Sequence, residues 1–174
     1  MIRGLFLDRD GTIIEDRGDI ASPDEVVFFE GTFSALARLQ NHFHLIIVTN
    51  QSGVSKGTIT MDEVNSVNQF VVDTLAKRGI VIQEVFVCPH KRTDNCVCIK
   101  PNPHFPYLAR DRFGISLSHS YAVGDHPHDV ELAHRVGGKG IYVLTGHGEK
   151  HRREVPAGTT IARDITEAAD CIFL

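Results

Sequence analysis

The stretch "GLFLDRDGTI", residues 4–13, decides how the rest of the chain is read. Its first half is an apolar run. Its second half sets Asp8 and Asp10 on either side of Arg9, followed by Gly11 and Thr12. A continuous apolar run without alternation suits a strand covered on both faces, as in a parallel sheet. Residues two apart on an extended chain point to one side, so Asp8 and Asp10 share a face. At the carboxyl end of a parallel strand, that face is the crevice where open α/β sheets bind ligands. Two adjacent carboxylates repel each other, so the pair calls for a cation or a shared proton. A solvated Asp turn is the plain alternative, and only the other strand ends can decide between the two.

Working outward, four more apolar runs read as buried strands: residues 43–49, 82–88, 119–124 and 140–145, beside 2–7. Amphipathic segments alternate with them. Residues 31–42 carry Phe33, Leu36, Ala37 and Leu39 at helical spacing. Residues 60–79 carry Met61, Val64, Val67, Val71, Leu75 and Ala76 on one face, with Thr60 and Glu63 as a capping box and Gly79 as the stop. Residues 128–138 form a shorter helix, and another starts near His104. Strand and helix in alternation predict an α/β fold, a Rossmann-like open, mostly parallel sheet with helices on both faces. The 174 residues suit one domain, 1–174. Two segments fit neither element type: a flap at 14–25 and a loop at 88–103.

The net charge of −4 argues against bulk electrostatic binding to nucleic acid. No apolar run is long enough to cross a bilayer, and the N-terminal run is too short for a signal peptide. The reading is a cytoplasmic monomer with no membrane or nucleic-acid partner. In that compartment the four cysteines are free or metal-bound rather than disulfide-bonded.

The other strand ends agree with the first. Residues 45–53 finish in Thr49, Asn50, Gln51, Ser52 and Gly53, a hydroxyl, an amide and a glycine loop whose N–H groups can cradle phosphate oxygens. Residues 121–129 finish in Gly124-Asp125, with Asp129 at the start of a helix. Lys100 stands before Pro101. Hard carboxylate oxygens suit Mg²⁺, and Mg²⁺ with a lysine and an N–H cradle describes a phosphate site. Separately, "CPHKRTDNCVC" (88–98) brings Cys88, His90, Cys96 and Cys98 into one polar loop, a closed Cys₃His set for a structural Zn²⁺. Cys171 reads as a core residue.

Taken in order, "DRDGT" (8–12), "TNQSG" (49–53), "KP" (100–101) and "GDHPHD" (124–129) resemble the four motifs of the haloacid dehalogenase (HAD) superfamily. The resemblance implies a phosphatase working through an aspartyl-phosphate. It makes Asp8 the nucleophile and Asp10 the general acid and base, with Thr49 and Lys100 holding the phosphoryl group. It assigns Mg²⁺ to Asp8, the Asp10 carbonyl and Asp125, with Asp129 nearby. The gaps between motifs leave no room for a cap domain. Together with the zinc loop, this is similar to the capless heptose 1,7-bisphosphate 7-phosphatases and their histidinol-phosphate phosphatase relatives. The substrate set expected on that basis is Asp16, Arg17, Gly18, Asp19, Asn50, Gln51, Ser52, Ile99 and His126. The heptose enzymes usually read Cys-Arg-Lys-Pro where this chain has Cys98-Ile99-Lys100-Pro101. Position 99 is therefore expected to face a second phosphate and to limit its recognition, with Arg17 or His126 compensating. His126 and Asp19 also depart from the heptose pattern. Heptose bisphosphate is the leading substrate, and histidinol phosphate or another small sugar phosphate the runner-up. A non-catalytic zinc-loop binding module is the alternative of another class; the intact acids and Lys100 argue against it.

Overall fold

The computed structural model describes residues 1–174. Six strands, β1 (Gly4–Leu7), β2 (His44–Asn50), β3 (Ile82–Cys88), β4 (Tyr121–Gly124), β5 (Lys139–Val143) and β6 (Thr160–Ala162), form one sheet. Their order is β3-β2-β1-β4-β5-β6 and every neighbouring pair is parallel. The order reverses between β1 and β4. An open parallel sheet binds its ligand at such a reversal, beyond the carboxyl ends of the strands.

Seven helices surround the sheet: α1 (Thr32–Leu39), α2 (Gly53–Lys56), α3 (Met61–Ala76), α4 (His104–Phe113), α5 (Pro127–Arg135), α6 (Gly148–His151) and α7 (Ile165–Ile172). Alternation within the strands divides the core. Leu5 and Leu7 join α1, α3 and α7 on one face through Leu36, Val67, Val71 and Ile165. Phe6 turns to the other face and packs with Phe105 and Ala109 of α4 and Leu132 of α5. Covering on both faces is why the strands read as unbroken apolar runs.

The expected helix at 60–79 forms from Met61 to Ala76. The Thr60 hydroxyl accepts from the Glu63 N–H (3.2 Å), while the Thr60 N–H donates to the Glu63 carboxylate (2.7 Å). Gly79 stops it with φ of 73°. Elements absent from the sequence reading are β6 and the helices α2, α6 and α7. β6 is three residues long with two exposed, too short to show a period. α7 did carry a signal: Asp164 caps it by accepting from the Thr166 and Glu167 N–H groups, and Ile165, Ala168 and Ala169 recur on one buried face. Cys171 packs partly buried against that core.

The segment at 14–25 is pinned rather than loose. Ile14 and Ile20 are fully buried, Ile14 bridges both Asp10 and Phe28, and Pro23–Glu25 forms a capped 3₁₀ turn. The helix α5 reaches the sheet only because residue 140 of β5 has no side chain: a Cβ on Gly140 would lie 2.7 Å from the Val130 Cα. Gly140→Ala is therefore expected to push α5 off the sheet and lower stability by about 1–3 kcal/mol. The check is the urea midpoint at constant slope, and an unchanged midpoint would show that α5 shifts freely.

Candidate active site

Beyond the ends of β1, β2 and β4 lies a cavity of about 310 Å³ with no apolar side chain in its lining. Its floor is built by Asp8. The Asp8 N–H continues the β1–β4 ladder by donating to the Val123 carbonyl (2.9 Å), so rigid backbone carries the carboxylate. Lys100 reaches up from the third motif. Its ammonium donates to Asp8 (2.7 Å) and to the Val48 carbonyl (2.9 Å), and pairs with Asp129 at 2.7 Å. Burial alone would make Lys100 less basic, but the Asp129 and Asp8 charges outweigh it and raise its pKa.

Asp8, Asp125 and Asp129 offer carboxylate oxygens that all lie within 4.8 Å of one another. Burial, then the charges of Asp8 and Asp129, push the Asp125 pKa up to about 9. Burial also raises Asp8, with Lys100 pulling the other way. One ammonium pairs with only two of these three crowded carboxyl groups, so they resist ionising together without further positive charge, and a closely spaced oxygen-only set fits a hard divalent cation. Backbone encloses this set closely. Gly11 and Gly146 lie against the Asp125 carboxylate with no room for a Cβ, and Gly11 has φ of 81°. The His147 N–H donates to Asp125 at 2.7 Å.

Asp10 occupies a different environment. The Arg9 guanidinium is fully buried and forks onto its carboxylate, with Nη2 at 2.9 Å and Nε at 3.2 Å from Oδ2. Arg9 is itself held by Asn68 of α3 at 2.6 Å. Gln51 donates to Asp10 at 2.8 Å. Burial raises the Asp10 pKa, and the Arg9 charge opposes the rise. The two acids of the first motif thus stand side by side, Asp8 facing a lysine and Asp10 held by an arginine.

Of the residues expected from sequence, Asp8, Asp10, Asp16, Gly18, Asp19, Asn50, Gln51, Ser52, Lys100, Asp125, His126 and Asp129 all line the cavity. Thr49 lies beneath the floor: it is buried, and its hydroxyl accepts from Gln51 at 2.8 Å. Arg17 is outside the lining and pairs with Glu15 at 2.8 Å. Ile99, expected to face a second phosphate, is absent from the lining and is buried in the apolar cluster with Phe105 and Cys88. An aliphatic side chain between two motif residues finds the core rather than the polar mouth. Asp129, expected only nearby, belongs to the carboxylate trio itself.

Sequence reasoning missed Arg92, His128 and His147, which complete the lining. His147 follows β5 and pairs with Asp16 at 2.9 Å, tying that loop to the 14–25 segment. Asp19 ties the segment on its other side, accepting from the Thr58 hydroxyl at 2.5 Å. For His147 the available signal was position, since residues 145–148 follow a strand just as Asp8 and Asp125 do.

Next to the cavity, Cys88, His90, Cys96 and Cys98 converge. Cys88 Sγ lies 3.6 Å from Cys96 Sγ and 3.2 Å from Cys98 Sγ, and Cys96 and Cys98 are 3.7 Å apart. His90 Nδ1 is 3.8 Å from Cys88 Sγ and 3.4 Å from Cys98 Sγ. Sulfurs about 2.3 Å from a tetrahedral Zn²⁺ stand roughly 3.8 Å apart, so the set has the dimensions of a four-ligand zinc site.

Comparison with known proteins agrees with this geometry. Residues 97–168 match the family model described as HAD-hydrolase-like. The D-glycero-beta-D-manno-heptose-1,7-bisphosphate 7-phosphatase of Bordetella bronchiseptica is 33% identical over 95% of both chains. The protein of that name from Neisseria meningitidis serogroup A is 35% identical over 97% of this chain and 94% of its own. The crystal structure of D,D-heptose 1,7-bisphosphate phosphatase from B. bronchiseptica, complexed with magnesium and phosphate, superposes with a TM-score of 0.90 at 32% identity. The match covers 99% of this chain and 98% of that one. Relatives this similar over nearly the full length, matched to a cavity that the strand ends build from acids and one lysine, make this chain a member of the haloacid-dehalogenase-like phosphatase family.

Proposed function

We propose that the chain removes the 7-phosphate from D-glycero-D-manno-heptose 1,7-bisphosphate through a phosphorylated Asp8. The observation that carries the reading is the division of labour between the two acids. Asp8 contacts Lys100, which can neutralise an incoming phosphoryl group, while Asp10 is fixed by Arg9 and Gln51 where it can exchange a proton. In the first step an Asp8 oxygen attacks phosphorus in line as the bond to the sugar oxygen breaks, and Asp10 gives that oxygen its proton. In the second step Asp10 takes a proton from water. The resulting hydroxide attacks phosphorus and releases phosphate, restoring Asp8.

Asp8, Asp125 and Asp129 would hold Mg²⁺ together with the Asp10 carbonyl. Bound there, the ion supplies charge that keeps Asp8 ionised and neutralises phosphoryl oxygens. Lys100 adds to that neutralisation, and Asn50, Gln51 and Ser52 line the wall where the oxygens would sit. Cys88, His90, Cys96 and Cys98 would hold a structural Zn²⁺. The heptose substrate is favoured by the relatives that carry that name over nearly the full chain. A panel of sugar mono- and bisphosphates with histidinol phosphate tests the choice, and heptose bisphosphate is expected to give the highest kcat/KM.

Asp8→Asn is expected to abolish turnover, because an amide cannot attack phosphorus. Asp10→Asn should bind phosphate yet lose about 10²–10⁴-fold in kcat. Near wild-type activity in Asp8→Asn would end the covalent mechanism.

Asp125 yields a pH dependence. Its pKa in the folded, cation-free chain is about 9, above its ordinary value, so it favours folding below about pH 4 and this contribution is lost as pH rises toward 9. Mg²⁺ requires the ionised carboxylate, so binding releases a proton at neutral pH and tightens as pH rises. The increase in Tm on adding Mg²⁺ is expected to be larger at about pH 8.5 than at about pH 6. Equal increases would show that Asp125 is already ionised at about pH 6.

Elemental analysis of protein purified without chelator should find zinc in a 1:1 ratio. Cys98→Ser should lose the metal and lower Tm, because a structural zinc contributes its binding energy to folding. Metal-free protein with an unchanged Tm would refute the site.

A further inference from the structure

The bisphosphate reading leaves one charge without a receiver. A substrate whose one phosphate lies over Asp8 carries a second, dianionic group several bonds away. Position 99, where the heptose enzymes usually have arginine, is here an isoleucine turned into the core. The cavity offers two permanent cations, Lys100 and Arg92. Lys100 is committed, bonded at once to Asp8 and Asp129. Arg92 pairs with no carboxylate; its one hydrogen bond is a long contact, 3.5 Å, from Nη2 to the Lys100 carbonyl.

We infer that Arg92 is the anion subsite for the substrate's second phosphate, presented from the Cys/His loop in place of the missing arginine at 99. The inference rests on the bisphosphate reading above. The placement is structural. Arg92 opens the 3₁₀ turn Arg92–Asp94 between His90 and Cys96, so the Cys₃His set clamps the loop on both sides of it. Asp94 ties the turn down, accepting from the Ser55 hydroxyl (2.5 Å) and the Lys91 N–H (3.1 Å). The Ser55 N–H in turn donates to the Pro89 carbonyl at 3.1 Å. That fixes the loop against α2, which follows directly from Ser52 in the cavity wall. Arg92 is exposed while Lys100 beside it is buried, and it shares the cavity lining with His126 and His128, so its guanidinium is open to a group remote from the reacting phosphate. A guanidinium fork matches phosphate geometry, and contacts between charged groups that bind ground and transition states alike appear mainly in KM.

The test compares Arg92→Ala and Arg92→Lys with the wild type on heptose 1,7-bisphosphate and on p-nitrophenyl phosphate, which has no second phosphate. The ratio of the two kcat/KM values is expected to fall by about ten- to a hundredfold in Arg92→Ala, through KM. Arg92→Lys should recover part of it, keeping charge but not the fork. Inhibition by glucose 1-phosphate, a probe read without turnover of a bisphosphate, should weaken in Arg92→Ala in the same order. An unchanged ratio with unchanged inhibition overturns the subsite, as does a wild type indifferent to any second phosphate. A wild type that prefers fructose 1,6-bisphosphate, and loses the preference in Arg92→Ala, upholds the subsite and overturns only the heptose assignment.

Discussion

The ammonium of Lys100 is the point on which the site depends. It is nearly inaccessible to solvent and lies 2.7 Å from carboxylates far apart in the sequence, Asp8 just past the first strand and Asp129 on α5. A buried cation needs partners of opposite charge, and a buried acid cluster needs a cation. Neither half is tolerable alone. The third carboxyl group, Asp125, is held protonated by burial and by its acidic neighbours, and on the proposed function a metal ion would displace that proton before a phosphate arrives. Charge thus accumulates in sequence: lysine against acids, cation against the remaining acid, substrate against the cation.

The fold serves this cluster by bringing three sequence-distant strand ends to one place. Parallel strands all present their carboxyl ends to the same edge, and the reversal between β1 and β4 opens a gap between Asp8 and Asp125. Helices on both faces hold that edge rigid. Gly140 lets α5 seat closely on the sheet, which sets the position of Asp129 at its first turn. Arg9 extends the same support sideways, fixing Asp10 from within the core by way of Asn68 on α3.

Most of this was readable from the residues, because it depends on period and on strand ends. Apolar runs mark β1 to β5, and their termini point to Asp8, Thr49 and Asp125. What could not be read lay in loops or in the direction of a side chain. Ile99 sits between Cys98 and Lys100 in a segment without regular period, so nothing local told which way it turned. Arg92 lies in an irregular loop, and only the convergence of Cys88, His90, Cys96 and Cys98 brings it to the cavity mouth. His147 required β5 to be placed next to β4. Thr49 lies one residue before the end of its strand, at Asn50, and its hydroxyl turns to Gln51 beneath the floor.

The pinned segment at 14–25 has a consequence for how the proposed phosphorylated intermediate would partition. Ile14 and Ile20 anchor it in the core, and Asp16 and Asp19 tie it to the loops on either side. It forms a fixed rim rather than a door. The elements between β1 and β3 include no inserted domain to close over the mouth. On the proposed mechanism an acyl phosphate on Asp8 would form in a basin open to solvent, where an alcohol not held in an attack geometry has no effective-molarity advantage over water as acceptor. Hydrolysis over transphosphorylation is then a property of the architecture: the chain reaches its outcome by leaving the reaction open to its most abundant nucleophile.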